Sequence, residues 1–352
     1  AADVPARLQP DAGVDLADRG HRLGVVLVEL PTGNFVPVTE LAPLRGPVNP
    51  SFVHANERGG LGWLGGFDEC IVRCGLESNG SPGKDIMPNN MGEATEMTLN
   101  LHGRIANIPA HQAAVDVTGG KAPEISVTGV VDETMLFCPQ LRLTTRISTR
   151  LGSNAFTISD EIMNLKSTES EMQVLYHCNF GKPFMDKGAR LVAAASETAP
   201  RSAYSTADLD AWDRYQAPTP GYIEQCFWHE PIGDAKGNTV ALLRNAAGNR
   251  GVAVRYNTRQ LPCFTQWKNT GAESDGYVTG LEPAVNYPNP RVFERKNGRV
   301  VRLAPGQTYR IDLTVEICAD AGGVGKVERE IRALQGRTPH TLHRGPIAKY
   351  SC

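Results

Sequence analysis

Polar and apolar residues alternate with a period of two along most of this chain. From Leu141 to Thr149, Leu, Leu, Thr and Ile occupy one set of positions, while Arg, Thr, Arg and Ser occupy the other. This pattern is typical of a strand with one solvated face. The predicted strands run from Ile125 to Val131, Leu141 to Thr149, Ala155 to Leu165, Met172 to His177, Thr239 to Leu243, Val252 to Tyr256, Tyr277 to Leu281, Val300 to Leu303 and Thr308 to Ile317. The pattern predicts an all-β protein.

Signals for other elements are few. Apolar residues recur at helical spacing from Lys326 to Gln335, and Gly336 supplies a stop, which predicts one helix near the C-terminus. The Asn297-Gly298 pair predicts a hairpin turn. Long loops are expected at residues 79–93, 196–208 and 213–221, and such loops on a β scaffold commonly form binding sites.

The chain shows no internal repeat, no low-complexity tract and no linker between segments of different composition. We therefore expect residues 1–352 to form a single domain, a large antiparallel β-sandwich with few helices. Its expected parts are an N-terminal extension to about residue 55, a core from about 56 to 318, and a C-terminal helix and tail from 319 to 352.

Composition narrows the class of partner. The 352 residues are 41% hydrophobic and 21% charged, with a net charge of -2, which suits a folded protein with a large core. There is no cluster of Lys and Arg interleaved with aromatic residues, so neither nucleic acid nor a membrane surface is expected as a partner. We expect a small molecule without strong charge. The sequence does not predict the oligomeric state.

Location and cofactors follow from what the sequence lacks. Residues 1–5 have neither the basic nor the apolar region of a signal peptide, and no stretch reaches the roughly 18 apolar residues of a membrane span. Eight cysteines are too sparse for a disulfide framework, which favours a reducing cytoplasm. The glycines before Lys326 lack the full phosphate-loop pattern, so no nucleotide cofactor is expected. His229-Glu230 is followed by Pro231 rather than by the rest of a zinc-binding motif, so no metal is expected either.

Three segments carry candidate chemistry, and the first is Gly280 to Pro288. Glu282 ends an apolar run directly before Pro283, which has no N–H for a strand ladder. The strand is therefore predicted to stop there and to hold Glu282 at the edge of a sheet, facing a cleft. A carboxylate so placed is a good candidate for a general base.

The second segment is Tyr176 to Gly181, where His177 lies near the far end of a predicted strand. An imidazole whose ordinary pKa is about 6.5 can give and take a proton at neutral pH, so His177 is a candidate general acid. The alternative is a core histidine bonded to a backbone carbonyl, which is the commoner arrangement for an isolated histidine.

The third segment runs from Leu101 to Ala110. If it is extended, His102 and Arg104 share a face, and Gly103 between them allows another group to approach the backbone. Such a pair could bind a cluster of sugar hydroxyls. The alternative is a His-Gly turn followed by a solvated arginine.

Taken together and in this order, the three segments resemble those of the aldose 1-epimerase (galactose mutarotase) superfamily. The matching residues are His102-Gly103-Arg104-Ile105-Ala106-Asn107-Ile108-Pro109-Ala110, Tyr176-His177-Cys178-Asn179-Phe180-Gly181, Trp267-Lys268 and Gly280-Leu281-Glu282-Pro283-Ala284. They resemble most closely an uncharacterised branch of that superfamily. The resemblance covers roughly residues 55 to 318.

The resemblance implies a galactose mutarotase-type β-sandwich with a sugar in a cleft on one sheet. It implies that His177 is the general acid that protonates the ring oxygen, and that Glu282 is the general base that takes the proton from the anomeric hydroxyl. Ring opening, rotation about C1–C2 and closure then give the other anomer. His102 corresponds to a histidine that helps to bind the sugar.

Further residues are candidates for substrate binding. Members of the superfamily often have an arginine on an early strand in contact with the sugar, which makes Arg73 a candidate; the alternative is an ion pair with Asp68 or Glu77.

Gln225 or its neighbour Glu224 corresponds to a sugar-binding acid of relatives. Trp267 and Trp63 could stack on a sugar face or belong to the core. Asn286 could orient Glu282 or cap the following loop.

Two departures from better known mutarotases concern the substrate. Tyr176 replaces an asparagine before the histidine, and the residues after Glu282 also differ, so the sugar could be a modified one. Three functions remain open: an aldose 1-epimerase, a related enzyme that uses the same pair for proton transfer beside a carbonyl, and a sugar-binding protein without turnover. The presence of His102, His177 and Glu282 together disfavours the third.

Overall fold

The structure, a computed structural model, describes residues 48–352 except 68 and 121, together with the backbone of 27–29 and 35–37. Most of the predicted N-terminal extension thus lies outside the described residues. The strands are β1 (Leu27–Glu29), β2 (Phe35–Pro37), β3 (Ile71–Leu76), β4 (Gly83–Pro88), β5 (Ala94–Leu99), β6 (Gln112–Thr118), β7 (Glu124–Thr134), β8 (Gln140–Arg150), β9 (Ala155–Asn164), β10 (Ser170–Phe180), β11 (Arg190–Ala193), β12 (Ala195–Pro200), β13 (Gln225–Pro231), β14 (Asn238–Arg244), β15 (Gly251–Asn257), β16 (Cys263–Thr270), β17 (Tyr277–Ala284), β18 (Val301–Leu303), β19 (Thr308–Cys318) and β20 (Thr341–Leu342). The α-helices are α1 (Glu57–Gly60), α2 (Arg291–Lys296) and α3 (Ala321–Gln335), and short 3-10 segments occur at Pro50–Phe52, Gly62–Gly66, Ile105–Asn107, Tyr204–Ala211 and Glu273–Asp275.

Two sheets of eight strands form the body of the protein. The first has the order β18-β10-β17-β16-β13-β12-β20, with β3 also paired to β10, and the second has the order β11-β14-β15-β19-β9-β8-β7-β6. Neighbouring strands are antiparallel except for β12 and β20. The all-β prediction with few helices is confirmed.

One large core lies between the two sheets. Val174, Tyr176 and Leu281 of the first sheet pack in the same buried cluster as Leu143 and Val315 of the second. These residues alternate with outward-facing ones along their strands, as the period of two predicts. Burial of this apolar surface is the main source of stability for the fold.

The two outer faces are covered differently. On the second sheet, Val327 and Ile331 of α3 pack against Val240 and Leu242 of β14. Helix α3 begins after the N-cap Asp320, so the glycines before Lys326 form its first turn. On the first sheet, the segments before β3 and the C-terminal tail lie over the outer face. The pocket described below lies on that face.

Three local predictions are wrong. Asn297-Gly298 does not form a hairpin, because Asn297 caps the C-terminus of α2 and Gly298 takes a φ of 70° beyond it. The predicted loop 79–93 contains β4, which pairs with β5 in a hairpin. Likewise, the predicted loop 196–208 overlaps β12 and a 3-10 segment. Within the described part of the chain, no helix has the length and apolar character needed to cross a membrane.

Candidate active site

Neighbouring strands of the first sheet deliver side chains to one patch of its outer face. The register places Thr265 of β16 opposite Glu282 of β17, and Cys226 of β13 opposite Trp267 of β16. Since paired residues share a face, these side chains point the same way. His177 of β10 joins them in lining one pocket. Residues far apart in sequence are therefore brought together by strand order alone.

His177 and Glu282 lie side by side on the floor of the pocket. Their Nε2 and Oε1 atoms are 3.2 Å apart, and the residues are 4% and 2% exposed. Burial lowers the pKa of His177 to about 3, although a hydrogen bond to Asn179 opposes this shift. Burial likewise raises the pKa of Glu282 well above its usual value; the charge of Glu224 adds to this and that of Arg201 opposes it. Burial thus favours the neutral form of each group.

Gly280 leaves room for this pair. A Cβ atom at this position would lie 2.4 Å from Oε1 of Glu282 and 2.8 Å from Cε1 of His177. Real Cβ atoms do not approach so closely, and both neighbours are packed side chains. A residue larger than glycine would therefore displace the two groups from each other.

His102 reaches the pocket from the loop after β5, with a left-handed φ of 58°. Its N–H donates to the carbonyl of Gly80, and its carbonyl accepts from the N–H of Gly75. As predicted, Gly103 permits a close backbone approach, because a Cβ there would lie 2.2 Å from the carbonyl oxygen of Ser78 and 2.3 Å from that of Gly75. Burial lowers the pKa of His102 well below its usual value and so favours the neutral imidazole.

Aromatic rings enclose the two histidines. The ring of Phe67 lies edge-on to His177 at a centroid distance of 4.8 Å, and Trp267 contacts the same imidazole at 5.4 Å. Trp63 contacts His102 at 4.8 Å. Such packing excludes water from the imidazoles and fixes their orientation.

The pocket has a volume of about 430 Å³, which lies within the range of small-molecule sites. Four of the residues that line it carry a buried polar atom with no hydrogen-bond partner in the protein: Nε1 of Trp63, Nδ1 of His102, Oγ1 of Thr265 and Oε1 of Glu282. Buried polar atoms without partners are costly. Their concentration in one pocket leaves several donors and acceptors there available to a bound molecule.

The rim of the pocket carries one charge of each sign. Arg201 donates from Nη2 to Oγ of Ser81 at 3.0 Å, and Glu224 accepts from Nε1 of Trp267 at 2.6 Å. The guanidinium and the carboxylate are 4.0 Å apart. Within the described residues, no group of three His, Cys, Asp or Glu side chains is arranged to hold a metal ion.

Comparison with known proteins places the chain in a family. The model of a domain of unknown function, DUF4432, matches residues 21–317. A crystal structure from Klebsiella pneumoniae subsp. pneumoniae MGH 78578, named as a candidate aldose 1-epimerase, is 34% identical, with a TM-score of 0.83 over 92% of this chain and 84% of that one. The chain belongs to the DUF4432 family of the aldose 1-epimerase superfamily.

Another solved structure is more distant. A galactose mutarotase-like protein from Clostridium acetobutylicum is 16% identical, with a TM-score of 0.48 over 70% of this chain and 78% of that one. A search among curated proteins gives no match. The match to the Klebsiella pneumoniae structure confirms the resemblance inferred from three short segments, at the level of superfamily and fold.

Two of the proposed superfamily ligands lie on the wrong side of the sheet. Arg73 pairs with Tyr176, the neighbour of His177, and therefore faces the core, where Nη2 donates to Asp160 of β9 at 3.1 Å. This ion pair replaces the suggested pairing with Glu77; Asp68 lies outside the described residues. Both Arg73 and Asp160 are removed from the pocket.

Gln225 is the second of these. It precedes the pocket residue Cys226 by one position, so its side chain turns to the inner face of β13. Glu224, the alternative considered, is the residue that lines the pocket.

Two other candidates hold loops instead of facing the pocket. Because His102 and Gly103 both have positive φ, the segment is not extended, and Arg104 turns away to lie 3.7 Å from Glu77. Asn286 is fully buried; it accepts from the side chain of Asn79 at 3.0 Å and donates to the carbonyl of Tyr287. Its role is to join two loops behind the pocket.

The strand of Glu282 does not end at the proline. β17 continues through Pro283 to Ala284, with β16 and β10 on either side. Pairing with β10 is present at Leu281 and Ala284 and skips the two residues between them, so the missing N–H falls in a gap of the ladder. Glu282 consequently lies within the sheet. It faces the pocket because its side chain is on the outer face of β17, and not because the strand ends there.

Sequence reasoning missed the arginine of the pocket and the position of one of its tryptophans. Arg201 directly follows β12, within a stretch that the composition marked as a loop. Trp63 comes from a 3-10 segment rich in glycine, and was considered only as a possible stacking residue. No spacing rule connects either residue to His177 or Glu282, since only the folded sheet brings them together.

Proposed function

We propose that this protein is a sugar 1-epimerase, which interconverts the anomers of a free sugar by acid-base ring opening. The observation that carries the proposal is the 3.2 Å separation of His177 Nε2 and Glu282 Oε1 on the floor of a pocket. A hemiacetal carbon bears two oxygens, the ring oxygen and the hydroxyl. One must gain a proton while the other loses one, and two adjacent groups can serve both.

The pair can complete the reaction with a single proton. One group protonates the ring oxygen while the other removes the hydroxyl proton, the C1–O5 bond breaks, and an open-chain aldehyde forms. After rotation about C1–C2, the same two transfers run backwards on the opposite face of the carbonyl. No proton is consumed, and each transfer contributes about 10²–10⁴-fold in rate.

The remaining pocket residues support binding of a sugar. The partnerless atoms of Trp63, His102 and Thr265 offer hydrogen bonds to hydroxyls, and the ring of Trp267 offers an apolar face. Arg201 and Glu224 at the rim are placed to recognise substituents away from the anomeric carbon. These residues are the ones we expect to select the sugar.

The test is exchange NMR of a panel of free pyranoses, including deoxy, keto and acidic sugars. We expect the protein to accelerate exchange between anomers of at least one sugar, and Glu282→Gln to slow it by about 10²–10⁴-fold because the carboxamide cannot transfer the proton. Glu96→Gln, on the exposed face of the β4–β5 hairpin, is the matched control and should retain full activity.

Three outcomes would contradict the proposal. Deuterium incorporation at a carbon position would indicate proton transfer beside a carbonyl, and saturation transfer to a sugar without anomer exchange would indicate a binding protein. Equal exchange rates for the protein and for Glu282→Gln would also exclude Glu282 from the chemistry.

A further inference from the structure

The side-chain amide of Asn179 has one possible orientation. Its Nδ2 donates to the carbonyl of Glu69 at 2.9 Å and to that of His177 at 3.1 Å, while its backbone N–H donates to Cys70. If the amide were flipped, its oxygen would face two carbonyl oxygens, and three acceptors would meet without a donor. The Oδ1 atom therefore faces Nδ1 of His177, at 2.6 Å.

This orientation fixes the tautomer of His177. Because Oδ1 of Asn179 can only accept, Nδ1 of the imidazole must carry a proton whenever this bond is made. In the neutral ring, Nε2 is then the atom with a lone pair, and it is the atom next to Glu282. A neutral His177 can thus act on a substrate through Nε2 as a base, but not as an acid.

The surroundings of Glu282 disfavour a carboxylate. Apart from Nε2 of His177 at 3.2 Å, its Oε1 has no hydrogen-bond donor among the described residues, and a buried ion pair is stable only when further hydrogen bonds satisfy it. The titratable groups that face the pair are His102 across the pocket, the thiols of Cys74 and Cys226, and Arg201 with Glu224 at the rim.

Arg201, the cation nearest to Glu282 in the pocket, is bound to other groups. The guanidinium of Arg201 is bonded to Ser81 and lies beside Glu224, so it does not neutralise Glu282 by direct contact. A charge on Glu282 would therefore be balanced only by an imidazolium on His177, without the further hydrogen bonds that a buried ion pair requires, whereas the neutral pair needs none.

We propose that in the empty site the proton shared by His177 and Glu282 resides on Glu282, so that Glu282 is the acid and His177 the base in the first step. This is the reverse of the assignment implied by the superfamily resemblance. The inference deepens the proposed function and depends on it for its catalytic meaning, while the location of the proton can be tested without any substrate. Asn179 acts as the positioning residue.

The step balances in this direction. The O–H of Glu282 transfers its proton to the ring oxygen as the C1–O5 bond breaks, and Nε2 of His177 takes the proton of the anomeric hydroxyl as the carbonyl forms. The products are the open-chain aldehyde, a carboxylate and an imidazolium ion. These two charges are adjacent, so their attraction stabilises the intermediate state, and ring closure on the other face restores both protons.

The first measurement is ¹⁵N NMR of protein labelled in its histidine rings, with the signals of His177 assigned by their loss in His177→Gln. At pH 7 we expect a protonated-type signal for Nδ1 and an unprotonated-type signal for Nε2. In the infrared spectrum, we expect a carboxylic acid C=O band that disappears in Glu282→Gln. Two protonated nitrogens, together with no such band, would overturn the proposal.

The second measurement uses Asn179→Asp, a variant of nearly the same shape. A carboxylate beside Nδ1 stabilises the imidazolium, so the proton should move from Glu282 to His177, with a protonated Nε2 signal and loss of the acid band. An unchanged spectrum in folded Asn179→Asp would contradict the role of Asn179. If this variant does not fold, the spectra of the unaltered protein still decide where the proton lies.

The proposed function and the proposed location of the proton can be refuted independently of each other. If no sugar shows anomer exchange but Nε2 is unprotonated, the placement of the proton stands and the proposed function is wrong. If exchange is observed and both ring nitrogens are protonated, the function stands and the reversed roles are wrong.

Discussion

At the scale of single residues, the candidate site depends on which side of a strand each side chain takes. His177 and Glu282 were predictable from their neighbours in sequence, and the fold places them together. Arg73 looked equally suitable, yet it is paired with Tyr176, one position away from the residue that faces the pocket. A shift of one residue reverses the side, and the register that decides it is set by strand partners more than 80 residues away. Sequence alone could not choose between the two sides.

The paired burial of His177 and Glu282 predicts an unusual pH dependence of kcat/KM. The pair works with one proton, so activity should fall at acid pH when it takes up a second. Because burial lowers the pKa of His177 to about 3, activity should persist well below the ordinary histidine value of about 6.5. The alkaline limb should appear when the pair loses its only proton. It should lie at higher pH than for an ordinary carboxyl group, because the pKa of Glu282 is raised.

The measurement is anomer exchange from pH 4 to pH 10, after subtraction of the spontaneous rate at each pH. An acid limb centred near pH 6.5 would show that His177 titrates as a solvated histidine and would contradict this prediction. The profile does not reveal which partner holds the proton, because both placements contain the same number of protons.

At the scale of elements, the pocket wall is held by an ion-pair cluster between β4 and α2. Asp85 accepts hydrogen bonds from Arg291 at 2.7 Å and from Arg295 at 2.8 Å, and Arg291 also donates to the carbonyl of Glu77. The pocket residues Ser81 and Pro288 lie just before these two elements. The cluster therefore fixes the loops that form one side of the pocket.

We expect Asp85→Ala to lower the free energy of unfolding by about 3–5 kcal/mol, because it leaves the buried Arg291 without its carboxylate. Lys84→Ala, on the same strand but in an exposed pair with Glu96, is the matched control and should leave the urea midpoint unchanged. Equal midpoints for the two variants would show that the cluster contributes nothing to stability.

The elements themselves were largely predictable, and the exceptions have physical causes. The nine alternating segments all contain strands, and α3 covers its predicted range, because burial of one face imposes a regular period. Pro283 was misread as a strand end because a gap in hydrogen bonding to β10 tolerates it. Asn297-Gly298 was misread because the same two residue types that make a hairpin turn also end a helix.

At the scale of the whole molecule, the sandwich buries several imidazoles as neutral rings. Burial lowers the pKa of His102 well below its usual value and that of His177 and His229 to about 3. The unfolded chain takes up these protons near pH 6.5, whereas the folded chain does not, so stability falls as the pH decreases from about 6.5 towards 3. Glu282 acts in the opposite direction, since its raised pKa lets the folded chain keep a proton that the unfolded chain loses above about pH 4.5.

His229→Gln isolates one of these contributions away from the pocket. His229 lies on the inner face of β13, bonded to Thr198, and is not part of the pocket lining. Between pH 4 and pH 6 we expect the free energy of unfolding to change less steeply in this variant, by about 1.4 kcal/mol per pH unit. Urea unfolding at three pH values measures the slope, and parallel slopes for the two proteins would mean that His229 is protonated in the fold.

Three of the four tryptophans of the chain, Trp63, Trp228 and Trp267, line the pocket. Their indole fluorescence is therefore sensitive to whatever occupies it, and the protein carries its own optical reporter. A titration of intrinsic emission can survey many sugars without a label or a coupled assay. Performed on Glu282→Gln, the same titration separates the affinity of the pocket from its turnover.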